Sequence, residues 1–174
     1  TELIQEGAID PSARIVRYLP ELANSAWADA TVQQTLDMTT GVKYAEDFAD
    51  PTSGVFQYLA AAGLQPARPG SNGAKSMAEH LPTVQKDGEH GTGFAYKSVD
   101  TEVLGWLLQR VTGKSYATLL SERIWSKLGT QEDAYVFADA NGGQATSVGV
   151  NATLRDLGRL GEICLLYTSP SPRD

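Results

Sequence analysis

The sequence predicts a mostly α-helical sub-domain with long functional loops. Three observations carry that reading: apolar residues recur at helical spacing, helix starts and stops are marked by capping residues, and only one short segment reads as a strand. In chain order, Thr31-Val32-Gln33-Gln34 is a T-x-x-Q capping box followed by Leu36 and Met38, which predicts a helix from Thr31 to Thr40 stopped by Gly41. A long polar loop runs from Val42 to about Asn72, with a short helix inside it at Phe56 to Ala62. Ser76-Met77-Ala78-Glu79 is a second capping box, and its helix is interrupted early by Pro82. From Asp100, residues Val103, Leu104, Leu107, Leu108 and Val111 share one helical face, and Gly113 supplies the left-handed residue that ends such a helix. Tyr116, Leu119, Leu120, Ile124 and Leu128 repeat the period from Ser115 to Gly129. Ala134-Tyr135-Val136-Phe137 is the strand, and a last helix starts near Asn151 or Thr153 with Leu154, Leu157 and Leu160 facing inward.

Composition removes several function classes. The 174 residues carry a formal charge of −7 with acidic groups spread along the chain and no Lys/Arg run, so a nucleic-acid backbone or an anionic membrane surface is repelled. No uninterrupted apolar stretch of about 18 residues is present to span a membrane. The first residues, Thr1 to Gly7, lack an initiator Met and the layout of a signal peptide, so the true N-terminus is expected to be missing; a cytoplasmic location is favoured over a periplasmic or secreted one. Cys164 is the only cysteine, and His80 and His90 have no partner at ligand spacing, so neither a disulfide framework nor a zinc site is expected.

The last eleven residues, Cys164 to Asp174, pass abruptly into a Ser/Pro alternation that neither continues a helix nor packs a strand. They match, position for position, the translation of a transposase adapter used in sequencing libraries. The expectation is therefore a partial domain over residues 1–163 and a non-native read-through over 164–174, with the real protein running on past Ile163.

Three short strings mislead. Gly113-Lys114-Ser115 resembles the end of a phosphate-binding loop, but position 108 is Leu where that loop needs Gly. Ala145-Thr146-Ser147-Val148-Gly149 resembles a nucleophile elbow, yet no apolar strand leads into it and no helix leaves it directly. Glu46 and Asp47 are adjacent and point apart more readily than they share a proton.

The segment with chemistry in it is Phe94-Ala95-Tyr96-Lys97-Ser98-Val99-Asp100-Thr101-Glu102-Val103-Leu104-Gly105. In extended chain residues i and i+2 share a side, so Tyr96 and Ser98 point together and Lys97 points away. With Val111-Thr112-Gly113-Lys114-Ser115-Tyr116 and Ile124-Trp125-Ser126-Lys127-Leu128-Gly129, this block resembles the F-x-Y-x-N/S…L-G…V-T-G-x-S-Y…I-x-x-x-L-G signature of class C β-lactamases and penicillin-binding-protein-like hydrolases. Leu36-Asp37-Met38-Thr39-Thr40-Gly41 is similar to that family's L-x-x-T-S/T-G, and Gly7-Ala8-Ile9-Asp10 to its G-x-L-D turn. Tyr44 to Pro51, Gly88-Glu89-His90-Gly91 and the Tyr-x-Ser form place the likeness in the branch of 6-aminohexanoate-dimer hydrolases and related carboxylesterases.

The resemblance implies an α+β fold, of which this chain is the mostly helical sub-domain truncated at both ends. It also implies hydrolysis of a small-molecule amide or ester through an acyl-enzyme, with no metal or organic cofactor. Tyr96 would be the general base, and Ser98 would hold the catalytic lysine and the substrate by hydrogen bonds while serving as a helix cap. Tyr44 would border the acyl pocket. The chain departs from the pattern where activity begins: no S-x-x-K, K-T-G or H-x-G string occurs in it. A free tyrosine phenol ionises only near pH ~10, so without the cation of that lysine Tyr96 is an ordinary phenol. The chain alone is expected to be inactive. Rival readings are a D,D-peptidase or β-lactamase, and a non-catalytic penicillin-recognition-like binding module.

Overall fold

A computed structural model describes residues 2–68 and 71–166. Its helices are α1 (Glu2–Gln5), α2 (Val32–Leu36), α3 (Gly54–Ala61), α4 (Met77–His80), α5 (Ser98–Thr112), α6 (Tyr116–Arg123) and α7 (Leu154–Leu166). Short 3-10 turns at Ile15–Arg17, Pro20–Leu22, Leu81–Thr83 and Trp125–Lys127 join them. Extended pairing among the described residues is confined to isolated bridges, including Tyr135 with Asn151 and Val42 with Lys86. The segment 134–137 is therefore not a full strand, because only Tyr135 finds a laddered partner there.

Capping chemistry fixes the helix starts. Thr31 accepts from the Gln34 N–H at 3.1 Å while the Gln34 side chain accepts from the Thr31 N–H at 2.9 Å, so the predicted box is complete. Helix α2 nevertheless stops at Leu36 rather than running to Thr40, because Met38 turns left-handed at φ 54°. That turn sends residues 38–43 out extended along residues 85–95. Ala95 N–H donates to Met38 O, Gly91 to Thr39 O, Asp87 to Gly41 O and Lys43 to Gln85 O, all at 2.7–2.9 Å. A side chain on Gly41 would run into the Gly88 carbonyl, which is the physical reason for glycine at the end of L-x-x-T-T-G. At α4 the box is half made: Ser76 accepts from the Glu79 N–H, while the Glu79 carboxylate takes the Lys75 N–H.

Helix α5 is the central element. Val99, Val103 and Leu107, four residues apart, are buried against Trp27, Tyr58, Ile15, Leu22 and Leu81. It ends at Gly113 in the left-handed conformation, φ 67°, as its sequence predicts. Trp106 is half-buried against this core and Trp125 is buried in its 3-10 turn. Helix α7 starts where expected, with Thr153 accepting from the Asp156 N–H, but of its three leucines expected inward only Leu160 is half-buried. Leu154 is 87% and Leu157 43% exposed, and it is Asp156 that is buried, receiving the Gln131 and Glu132 N–H groups and the Arg159 guanidinium. The helix also continues through Cys164 to Leu166, past the expected break at Ile163; residues 167–174 lie outside the described residues.

Candidate active-site edge

The candidate residues gather at the N-terminus of α5. Helix α5 begins at Ser98 itself, with Lys97 as its cap residue and no side chain of its own capping it. The cap comes from elsewhere: the Glu46 carboxylate, on the long loop, accepts from the Ser98 N–H at 2.8 Å. Ser98 is thus buried inside the first turn and is not the predicted N-cap. Tyr96, two residues earlier, stands 55% exposed beside Phe94 at 73%, so the extended segment presents its aromatic side outward.

Lys97 does point away from Tyr96, but into the protein. It is 5% exposed, and its ammonium donates to the Thr40 carbonyl at 3.0 Å and the Ala95 carbonyl at 3.4 Å. Next to it lies Asp100, fully buried, accepting from Trp27 Nε1 at 2.8 Å and Thr40 Oγ1 at 2.6 Å. Burial pushes the Asp100 carboxyl above the usual carboxylate range, against the pull of those two donors and of Lys97. The Tyr96–Ser98 segment is therefore tied from beneath to the T-T-G turn.

Tyr44 comes to the same helix end. Its hydroxyl is buried without a hydrogen-bond partner among the described residues; Ser98 and Glu46 lie near enough to act on its ionisation, but neither reaches hydrogen-bond geometry. Burial first, and the Glu46 charge second, raise its pKa well above the ordinary phenol value, so Tyr44 is a neutral phenol at every physiological pH. Its ring meets Tyr58 edge to face at 6.4 Å. One helical turn beyond Ser98, the buried Glu102 carboxylate accepts from Tyr58 Oη at 3.1 Å, from the N–H groups of Thr146 and Ser147 and from both their hydroxyls at 2.8–2.9 Å. Ser147 is thereby committed to a structural network that pins the 145–148 loop on α5. Its hydroxyl faces Tyr58 at 2.5 Å rather than an open cleft.

A third clasp holds the edge from the side. His90 Nδ1 accepts from the Gly41 N–H at 2.9 Å, which leaves the proton on Nε2 to donate to Asp29 at 3.0 Å. Lys86 also bonds Asp29 at 2.6 Å, and that bond, ahead of the His90 contact, lowers the Asp29 pKa to about 2. Glu46, Lys97, Asp100 and Glu102 are the residues that a motif reading passes over. The signal for the last two was present: carboxylates one position from Val99 and Val103 on an otherwise apolar helix face. Among the described residues no group of three His, Cys, Asp or Glu side chains forms a metal-binding cluster.

A sequence model of the family described as Beta-lactamase matches residues 1–171. The chain belongs to the β-lactamase family. It is 41% identical over 164 residues to the 6-aminohexanoate-dimer hydrolase of Paenarthrobacter ureafaciens, a match that takes in 94% of this chain and 41% of that protein. The chain thus spans about two fifths of the length of this curated relative. Among solved structures it superposes on a Bacillus anthracis protein described as a 6-aminohexanoate-dimer hydrolase with a TM-score of 0.84 and 33% identity, covering 99% of this chain and 45% of that one. A D-alanine carboxypeptidase from Burkholderia cenocepacia superposes with a TM-score of 0.61 at 20% identity, over 99% of this chain and 47% of that one, a likeness of fold alone. No helix among the described residues is long and apolar enough to cross a membrane.

Proposed function

We propose that the full-length protein is a serine hydrolase of small amides or esters, of the 6-aminohexanoate-dimer-hydrolase kind, acting through an acyl-enzyme and needing no cofactor. The observation that carries the reading is the placement of Tyr96: an exposed phenol held on a rigid edge two residues before the start of α5. A general base must reach the proton of the group that it activates, and an exposed base on a fixed edge can be met by a serine from outside these residues. Ser98 and Tyr44 sit behind it and border the same helix end, in orienting roles. The 41% identity to a 6-aminohexanoate-dimer hydrolase supports the amide or ester class over a D,D-peptidase or β-lactamase.

The 174-residue chain has no S-x-x-K and is expected to show no turnover of p-nitrophenyl esters, 6-aminohexanoate dimers or nitrocefin. Turnover blocked by a serine-directed fluorophosphonate would overturn that reading. In the protein carrying S-x-x-K, Tyr96→Phe keeps the ring and removes only the phenolic oxygen. Its kcat/KM is expected to fall about 10²–10⁴-fold, the usual worth of a general base, with Ser98→Ala costing less. Near-full activity of Tyr96→Phe would remove Tyr96 from the chemistry.

A further inference from the structure

We infer that Met38 is an oxidation site, at which oxygen transfer from a hydroperoxide to the thioether loosens the segment that carries Tyr96. Three observations converge on it. Met38 grips both peptide groups that flank Tyr96: its carbonyl accepts from the Ala95 N–H at 2.9 Å, and its Sδ accepts from the Lys97 N–H at 3.4 Å. It stands at φ 54°, the one non-glycine residue among those described to take the left-handed conformation, which persists only where surrounding contacts hold it. It is also partly exposed, and the bond to its sulfur is only part-buried. The other of the chain's two methionines, Met77, is 8% exposed within the core and serves as an internal reference.

A thioether sulfur is a weak acceptor with two lone pairs. The Lys97 N–H engages one of them, and the other is the nucleophile. It attacks the hydroxyl oxygen of the peroxide: an S–O bond forms, the O–O bond breaks, and the proton of that hydroxyl passes to the departing oxygen, which leaves as water or an alcohol. Sulfur is oxidised by two electrons and the peroxide is reduced by two, leaving a polar, chiral sulfoxide. Its oxygen lies on the side away from Lys97, and the sulfur, now carrying partial positive charge, no longer attracts the N–H. Lys97 is the cap residue of α5, and the N–H that loses its acceptor belongs to the peptide joining it to Tyr96, so the loss is felt at Tyr96 directly. Oxidation and loosening do not depend on the hydrolase reading, which adds only that the loosened residue is the general base.

The test is peptide mass spectrometry together with amide hydrogen exchange by NMR on this chain, before and after mild treatment with hydrogen peroxide. Met38 sulfoxide is expected to form well before Met77 sulfoxide. Exchange at the Lys97 N–H is then expected to quicken about three- to tenfold, the change that loss of one hydrogen bond of ordinary net strength gives, while Val103 and Leu107 in the buried face of α5 keep their rates. Methionine sulfoxide reductase is expected to restore the Lys97 rate. Met38→Leu conserves volume and has no sulfur to oxidise; its Lys97 exchange is expected to be raised from the start and indifferent to peroxide, which separates Met38 from every other oxidisable side chain. Met77 oxidised first, or a Met38 sulfoxide with unchanged Lys97 exchange, overturns the inference. So does a peroxide response at Lys97 that persists in Met38→Leu.

Discussion

Lys97 carries more of the fold than its place between Tyr96 and Ser98 suggests. Alternation in extended chain correctly sends it to the opposite side, but that side is the interior, where its ammonium holds the Thr40 carbonyl and faces Asp100. Sequence alternation tells sides apart without telling which is wet, and burial makes Lys97→Ala a stability substitution. It strands the Thr40 carbonyl and a buried carboxylate, and the expected loss is about 1–3 kcal/mol, read from urea midpoints; a loss below about 0.5 kcal/mol, the level of an ordinary surface change, would mean that Asp100 does not need the cation. Activity comparisons in the full-length protein therefore have to be made per folded molecule. His80 sets the pH response of this same interior. Its folded-state pKa is depressed to about 4 against about 6.5 for a free histidine, so the unfolded chain binds the proton first. The stability from neutral His80 is complete above pH ~6.5 and is lost as the pH falls toward 4. The Asp100 shift, upward from the carboxylate range, works in the other direction. Urea unfolding from pH 7 to 4.5 is expected to show a falling stability that His80→Gln flattens; an unchanged slope in that variant would place the titrating group elsewhere.

Among the elements, α5 shows which signals a sequence carries by itself. Its apolar period, its left-handed Gly113 and the capping box at Thr31 are local, settled by residues within four positions of each other, and the fold keeps them all. What the sequence hides is set by distant partners. The cap of α5 is Glu46, 52 positions away; α2 ends early because Met38 must turn to pair with residue 95; and α7 turns Asp156 inward because the 131–132 backbone supplies donors there. The L-G of the signature has the same long-range origin. A Cβ on Gly105 would fall inside contact distance of the Thr146 side chain, and Thr146 is held in place by Glu102 on the helix itself. Gly105→Ala is therefore expected to destabilise by about 1–3 kcal/mol, the cost of overpacking at a tight contact, although alanine is the better helix former. Thermal melts of this variant decide it, and a rise in Tm would show that the 145–148 loop can step away without cost.

At the scale of the molecule, the core gathers around α5. Trp27, Tyr58, Leu81, Val103 and Leu107 bury fully around α5, while Phe94, Tyr96, Tyr135, Leu154, Leu157 and Leu165 are exposed on the candidate edge, the 134–137 segment and α7. Large apolar side chains left in water in such number bind hydrophobic probes. The chain alone is accordingly expected to enhance anilinonaphthalene sulfonate fluorescence while its near-ultraviolet circular dichroism reports fixed tertiary packing, and to associate as concentration rises. Native dichroism separates this from a molten globule, which also binds the dye but loses that signal. The pair Leu154→Glu and Leu157→Glu tests where the dye sits. Leu154 is 87% exposed and Leu157 nearly half, so the double variant removes apolar surface without removing much packing; its stability is expected to stay within about 1 kcal/mol of the parent, near the range of surface changes. Dye binding and association are expected to drop together in it. A double variant that unfolds would show that the α7 leucines pack inward after all, and one that binds the dye as strongly as the parent would move the sticky surface to Phe94 and Tyr135.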